Sequence, residues 1–264
     1  MSESKLKAVI FDLDGTLYLG EGLIPGADDT VRKLRVSGVR VVFMTNKPIA
    51  SPTSYAKKLT LLGIEADSID VITSVKLTLQ FLTRAYPGSR LFIIGESYLT
   101  QTLVDAGFSL AARPEETDVV VVSLDRELDY EKLHFAYRAV LKGAAIIATN
   151  PDLICPMGEE EIIDAGATIA ALEALLKRPI DDVLGKPSRR CAEVALSALG
   201  CQPSEVLMVG DRMETDIRMA AEIGMRSGLV LSGVSVASDV ERYAFAPDYI
   251  WQSVADLPAS LGLT

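Results

Sequence analysis

Short apolar runs alternate with amphipathic, helix-like stretches along the whole chain of 264 residues. Runs such as "LKAVIFD" and "VRVVFMT" are almost wholly apolar, which is typical of parallel strands buried on both faces. The stretch "SPTSYAKKLTLLG" carries helix signals, with Ser51 as N-cap, Pro52 in the first turn and Gly63 at the end. This alternation predicts an α/β protein with a doubly wound, Rossmann-like parallel sheet.

The middle of the chain repeats the alternation as a separate unit. It begins near "YPGSRLFIIGES" and continues through "DVVVVSLDR", "AAIIATN" and the helical "GATIAALEALLK". The polar, proline-bearing "RPIDDVLGKPS" that follows is typical of a linker. We therefore predict a discontinuous core, residues 1–77 and 182–264, with a smaller α/β domain inserted at residues 78–181.

Charge and cysteine content narrow the class of protein. The net charge is −10, which argues against a general nucleic-acid binder, because such affinity comes mainly from Lys and Arg on phosphates. Cys155, Cys191 and Cys201 form neither a disulfide framework nor a zinc pattern. No stretch approaches the ~18 apolar residues of a membrane span. We expect a cytoplasmic protein with neither nucleic acid nor membrane as partner.

Polar residues follow three of the predicted core strands. Asp12 and Asp14 lie in "DLDGT", Thr45 and Asn46 in "TNKP", and Asp211 in "GDRMETD". The carboxyl ends of parallel strands share one edge of a sheet, where ligands bind at the switch in strand order. These residues are therefore expected to meet in one crevice.

The residue types at this edge suit phosphate and metal chemistry. Close carboxylates repel one another, and Mg²⁺, which prefers carboxylate and phosphate oxygens, makes their pairing favourable. An aspartate can also act as a nucleophile and become an acyl phosphate. Lys186, in "GKPS", supplies a positive charge for phosphoryl oxygens. Taken singly, "DLDGT" is also compatible with an exposed turn and Lys186 with a surface lysine.

The four motifs "DLDGT", "TN", "GKPS" and "GDRMETD" occur in one order and together resemble those of the haloacid dehalogenase superfamily, in its aspartate-nucleophile phosphatase branch. The predicted insert falls between the second and third motifs and contains "NPD" at residues 150–152. That arrangement is similar to the NagD-like or p-nitrophenylphosphatase branch, which carries a large α/β cap at this place.

The resemblance implies catalytic and metal-binding roles for three aspartates. Asp12 would attack phosphorus and become phosphorylated. Asp14 would protonate the leaving oxygen and then deprotonate the hydrolytic water. Magnesium would be held by the Asp12 carboxylate, the Asp14 main-chain carbonyl and Asp211.

The resemblance also implies how the phosphoryl group is bound. Thr45, the Asn46 backbone and Lys186 would contact it, and Asp216 would be a supporting acid that orients Lys186 or a water on the metal. As a first-turn acid on a helix, Asp216 is equally compatible with a purely structural role.

The sequence departs from the family pattern at three places. Glu214 stands where aspartate is common, Lys47 follows Asn46 where a small polar residue is common, and residues 163–167 replace a proline-glycine helix start. The last segment typically faces the substrate, so the identity of the leaving group stays open.

We therefore expect a magnesium-dependent phosphatase acting on small phosphorylated metabolites, of the sugar phosphate or nucleoside monophosphate type. Phosphoryl transfer to a sugar hydroxyl at the same site, or a non-catalytic phosphate-binding regulatory role, are the alternatives. The resemblance also leaves open a homodimer formed through the cap.

Overall fold

The computed structural model describes residues 6–157 and 160–263. These residues form two compact units. The first comprises the described residues within 1–45, 51–72 and 186–264, and the second comprises Asn46–Ala50 and Thr73–Gly185. The main segment of the second unit, Thr73–Gly185, begins and ends a few residues outside the predicted insert at 78–181. The boundaries at 78 and 181 therefore stay a prediction.

The secondary structure is numbered along the described chain. The strands are β1 (Ala8–Asp12), β2 (Tyr18–Leu19), β3 (Gly22–Leu23), β4 (Arg40–Thr45), β5 (Val71–Thr73), β6 (Arg90–Ile94), β7 (Ser109–Leu110), β8 (Val119–Val122), β9 (Ala145–Ala148), β10 (Ile154–Met157), β11 (Glu160–Ile163), β12 (Asp182–Val183), β13 (Val206–Gly210), β14 (Arg226–Val230) and β15 (Tyr249–Trp251). The α-helices are α1 (Ala27–Val36), α2 (Pro52–Leu61), α3 (Ser74–Ala85), α4 (Ser97–Asp105), α5 (Tyr130–Leu141), α6 (Ala165–Leu176), α7 (Arg189–Leu199), α8 (Arg218–Ile223) and α9 (Leu257–Ser260).

The core of the first unit is a six-stranded sheet in the order β15-β14-β13-β1-β4-β5. The pairings from β15 through to β4 are parallel. Every residue of β1 and β13 is buried, as their apolar sequences predict. From β1 the chain passes to β4 on one side and later returns to β13 on the other, so the strand order reverses at β1. The predicted doubly wound sheet is confirmed.

The second unit has its own parallel sheet, in the order β12-β9-β8-β6-β7. The four valines of β8 are wholly buried at its centre. Helices α5 and α6 contribute Ala136, Ala139 and Leu172 to one apolar cluster against this sheet. Strands β10 and β11 form a separate antiparallel hairpin. The predicted second α/β arrangement is thereby confirmed, while the hairpin is an element that the sequence pattern did not indicate.

Helix α2 begins and ends at the residues that carry its sequence signals. The Ser51 hydroxyl accepts a hydrogen bond from the Ser54 backbone N–H at 3.0 Å, and Pro52 is the first helical residue. Gly63 follows the helix with φ +95°, a conformation that favours glycine. Helix α7 is capped in the same way by Ser188 and Gly200. None of the helices in the described part of the chain combines the length and the apolar character needed to cross a membrane.

Candidate active site

Three strand ends of the first unit carry the predicted site residues. Asp12 is the last residue of β1, Thr45 is the last residue of β4, and Asp211 directly follows β13. Because β1 lies between β13 and β4, these residues share the carboxyl edge of the sheet at the point where strand order reverses. Asp12, Asp211 and Asp216 each offer a carboxylate oxygen within 4.8 Å of the others, and all three residues are buried.

Lys186 joins two of the three aspartates in this cluster. Its Nζ donates hydrogen bonds to Oδ1 of Asp12 and to Oδ1 of Asp216, the latter at 2.6 Å. Burial by itself would lower the pKa of Lys186, but the charges of Asp12 and Asp216 outweigh burial and raise it. The lysine is therefore charged. It joins side chains that are far apart in the sequence, because Asp12 lies 174 residues before Lys186 and Asp216 lies 30 residues after it.

Asp216 is fixed from its other side as well. Its Oδ2 accepts a hydrogen bond from the Arg212 backbone N–H at 3.1 Å, across the π-helical turn Met213–Ile217. A Cβ atom at Gly210 would lie 2.2 Å from the Asp216 Cγ, so only glycine can end β13 beside this carboxylate. Asp216 thus accepts a hydrogen bond from Lys186, and its role as an acid that orients Lys186 stays a prediction.

The cluster brings buried acidic groups close together. Burial raises the pKa of Asp12 well above its usual value, although Lys186 opposes the shift. Burial, together with the charge of Asp216, raises the pKa of Asp211 to about 7. The positive charges of Arg212 and Lys186 lower the pKa of Asp211 but do not offset burial. The three carboxyl groups together form a site built from hard oxygen donors. The residues present therefore fit a divalent cation such as magnesium.

A segment outside the four sequence motifs encloses Asp211. Residues 232–235 follow β14, and the Val234 backbone N–H donates to Asp211 Oδ2 at 2.7 Å. The Ser232 hydroxyl donates to the Gly15 carbonyl at 2.7 Å, which ties the same segment to the "DLDGT" loop. The sequence signal was "SGVS" directly after a predicted strand, a small polar run like those at the other strand ends.

Asp14 lies beyond the strand end in a tight turn. Gly15 has φ +83°, and its backbone N–H donates to the Tyr18 carbonyl at 2.8 Å. The buried Tyr18 hydroxyl donates to Asp14 Oδ2 at 3.2 Å. The carboxylate is thus oriented by a neighbour on β2, while Asp14 itself is half-buried.

Asn46 directly follows Thr45 in the chain but is grouped with the second unit. Its side-chain amide donates to Asp152 Oδ2 at 3.1 Å, and its carbonyl accepts hydrogen bonds from Asn150 and Ser74, at 3.0 and 2.7 Å. Lys47 donates to the Pro156 carbonyl at 2.9 Å. The structure therefore brings Asp12, Lys186, Asp211 and Asp216 together, and it gives Asn46 partners within the inserted part of the chain.

The residues at the other two departures from the family pattern make local contacts. Glu214 accepts a hydrogen bond from the Tyr243 hydroxyl at 3.5 Å. In the segment 163–167, Asp164 accepts from the Ala165 backbone N–H at the start of α6. Gly166 approaches the chain before β10 so closely that a Cβ atom would lie 2.6 Å from the Pro151 carbonyl oxygen.

Comparison with known proteins agrees with this geometry. Residues 9–109 match the haloacid dehalogenase-like hydrolase family, and residues 183–257 match the HAD-hydrolase-like family. The sugar-phosphatase AraL of Bacillus subtilis is 38% identical over 94% of this chain and 91% of its own length. The acid sugar phosphatase of Staphylococcus aureus is 33% identical over 97% of this chain and 98% of its own.

Solved structures give the same result. A 4-nitrophenylphosphatase from Thermotoga maritima superimposes with a TM-score of 0.88 at 32% identity, covering 97% of both chains. NagD from E. coli K-12 superimposes with a TM-score of 0.84 at 32% identity, covering 96% of this chain and 98% of that one. The chain belongs to the haloacid dehalogenase-like hydrolases. Within them it lies in the branch of NagD and the p-nitrophenylphosphatases, and it is a phosphoric monoester hydrolase.

Proposed function

We propose that this phosphatase hydrolyses small organic phosphomonoesters, foremost sugar phosphates, with magnesium and through a phosphorylated Asp12. The observation that carries the proposal is the buried Lys186, which bridges Asp12 and Asp216 beside Asp211 at the ends of β1 and β13. A charged lysine among three buried carboxylates is the arrangement expected of a site that binds a phosphoryl group together with a cation.

In the first step, an Asp12 carboxylate oxygen attacks phosphorus, and the bond from phosphorus to the leaving oxygen breaks. The hydrogen bond from Lys186 fixes the orientation of the Asp12 carboxylate before attack. Asp14 gives its proton to the leaving oxygen, so that the product departs as an alcohol. Lys186 and the Thr45 hydroxyl hold the phosphoryl oxygens.

In the second step, Asp14, now ionised, takes a proton from a water molecule that attacks phosphorus. The bond between phosphorus and Asp12 breaks, inorganic phosphate is released, and both aspartates return to their starting states. The Asp12 and Asp211 carboxylates and the Asp14 carbonyl would hold magnesium, which would supply positive charge for the phosphoryl oxygens. The hydrogen bond from Tyr18 keeps Asp14 in one orientation during both of its proton transfers.

The substrate class is inferred from the relatives. The Bacillus subtilis and Staphylococcus aureus relatives are named as sugar phosphatases, and the solved structures as nitrophenylphosphatase and NagD. Sugar phosphates are therefore the first substrates to test, with nucleoside monophosphates as the second class.

The test is a turnover assay on the purified, metal-free protein. Activity towards p-nitrophenyl phosphate and a panel of sugar phosphates and nucleoside monophosphates should be absent with a chelator and return with Mg²⁺. Calcium should restore little, because it prefers more ligands at longer distances. Full activity in the presence of chelator would remove the metal from the proposal. If phosphate were transferred to an added sugar instead of being released, the phosphotransferase alternative would be favoured.

A further inference from the structure

We infer that residues 232–235 position the Asp211 carboxylate so that it binds the metal through a single oxygen, and that this favours Mg²⁺ over Ca²⁺. The inference rests on the proposed magnesium site. It concerns a segment that lies 21 residues or more after Asp211 in the chain and is not one of the four sequence motifs.

The segment contacts Asp211 through both its side chain and its main chain. The Val234 backbone N–H donates to Oδ2 at 2.7 Å, and the Ser235 backbone N–H donates to the Asp211 carbonyl at 3.0 Å. The Ser235 hydroxyl in turn accepts from the Met213 backbone N–H at 3.1 Å, just after Asp211 in the chain. One carboxylate oxygen of Asp211 is therefore engaged by the protein.

The same oxygen is enclosed by two glycines. A Cβ atom built on Gly233 would lie 2.0 Å from Asp211 Oδ2, and one built on Gly15 would lie 2.5 Å from it. The Ser232 hydroxyl, bonded to the Gly15 carbonyl, joins the two glycine-bearing loops on either side of the carboxylate. This enclosure restricts rotation of the Asp211 side chain and leaves Oδ1 as the oxygen that faces a ligand.

A carboxylate limited to one oxygen discriminates between cations. Mg²⁺ requires near-ideal octahedral geometry with short distances, whereas Ca²⁺ takes more ligands and often binds both oxygens of a carboxylate. An Asp211 carboxylate that is held in place and offers one oxygen suits Mg²⁺. It gives Ca²⁺ one ligand fewer than a carboxylate that offers both oxygens. Residues 232–235 are thus positioning residues for metal choice, acting through Asp211.

The test is direct metal binding to the metal-free protein, measured by titration calorimetry with MgCl₂ and with CaCl₂, with no substrate present. Gly233→Ala places a methyl group against the Asp211 carboxylate, while φ at Gly233 lies outside the left-handed region, so the fold should persist. We expect Mg²⁺ affinity to fall by about 10–100-fold, as for other residues that orient metal ligands. Affinity for Ca²⁺ should fall less, so that the Mg²⁺/Ca²⁺ affinity ratio decreases.

Gly22→Ala is the matched control, because a Cβ atom at Gly22 has the Leu19 carbonyl oxygen at 3.6 Å as its nearest neighbour. It should bind both metals as the unchanged protein does. Circular dichroism during heating establishes that each variant is folded. If Gly233→Ala fails to fold, Ser232→Ala, which removes only the hydrogen bond to Gly15, should show a smaller decrease in the same ratio.

Asp211→Asn separates the metal site from the positioning role of residues 232–235. If Asp211→Asn binds Mg²⁺ normally, the proposed metal site is wrong and the inference falls with it. If Asp211→Asn loses Mg²⁺ while folded Gly233→Ala and Ser232→Ala keep the original affinity ratio, the site stands and the role of residues 232–235 is overturned. An equal loss of both cations in Gly233→Ala would likewise overturn the single-oxygen assignment.

Discussion

At the residue scale, Lys186 explains how Asp12 and Asp216 can be buried together. Burial of a carboxylate is unfavourable unless a charge or hydrogen bond compensates it, and Lys186 provides both to each aspartate. The lysine side chain is itself only 3% exposed, so the three groups depend on one another. Substitutions that keep shape and hydrogen bonding should therefore separate catalysis from folding at this cluster.

Asp12→Asn should abolish turnover while the protein stays folded. The amide has nearly the volume of the carboxylate and its oxygen can still accept from Lys186, but it cannot act as the nucleophile. Steady-state assays with p-nitrophenyl phosphate, and mass spectrometry of the acid-quenched enzyme, test this. The unchanged protein should carry a phosphoryl group on Asp12 and the variant none. Substantial residual activity in a contaminant-free preparation would exclude Asp12 as nucleophile.

Asp14→Asn should reduce kcat/KM, which reports on the first step alone, by ~10²–10⁴-fold, the usual contribution of general acid–base catalysis. The loss should be smallest for p-nitrophenyl phosphate, because p-nitrophenolate leaves without needing a proton, and larger for sugar phosphates. The Tyr18 hydroxyl can still donate to the amide oxygen, so the orientation of the side chain is kept. A loss of equal size for good and poor leaving groups would contradict the role of Asp14 as the leaving-group acid.

At the element scale, the edge of the first sheet depends on a glycine in β14. Gly228 pairs with Tyr249 of β15, and the ring of Trp251 covers the position where a Cβ atom would stand. Strand β14 ends two residues before the segment 232–235, which contacts Asp211. Packing at this edge therefore connects sheet stability with the geometry of the candidate site.

Gly228→Ala should destabilise the protein by at least ~1–3 kcal/mol, the usual cost of overpacking a filled core. The added Cβ would lie 2.1 Å from the Trp251 ring, and the ring and strand cannot both keep their places. Urea unfolding followed by the fluorescence of Trp251, the single tryptophan of the sequence, measures the change. An unfolding midpoint equal to that of the Gly22→Ala control would show that the edge strand can move aside freely.

At the scale of the whole molecule, we expect the two units to contribute different chemistry. In the proposed mechanism, the strand-end residues of the first unit supply charge for a phosphoryl group and ligands for a cation, and these can recognise little of a leaving group. We therefore expect the inserted part of the chain to recognise the leaving group. Residues 150–166 are the best candidates, because they connect strand β9 to helix α6, and loops on rigid elements concentrate binding residues.

Replacing residues 150–166 with the corresponding segment of a relative of different preference should change the ranking of natural substrates by kcat/KM. Hydrolysis of p-nitrophenyl phosphate should change far less, because its turnover needs little recognition of the leaving group. Circular dichroism of the chimera checks that it folds. An unchanged ranking in a folded chimera would move specificity to the loop at Lys47 and Pro48.

The sequence by itself determined the class of fold and the identity of the motif residues. Apolar runs such as that of β1 are local signals, because a strand buried on both faces needs apolar residues throughout. Ser51 and Gly63 mark the ends of α2 for equally local reasons, namely a capping oxygen and a left-handed backbone. The order of the four motifs likewise sufficed to indicate the family, which the comparisons confirm.

Only the tertiary structure decided how the site residues are held. Lys186 reaches Asp12 from a distant part of the chain, and residues 232–235 enclose Asp211 in the same way. Asn46 likewise forms hydrogen bonds with Asn150 and Asp152, more than a hundred residues later. The amino acids of a short segment do not specify which distant residue that segment will contact. That partner is fixed by strand order and by the space left beside each side chain, and both exist only once the chain has folded.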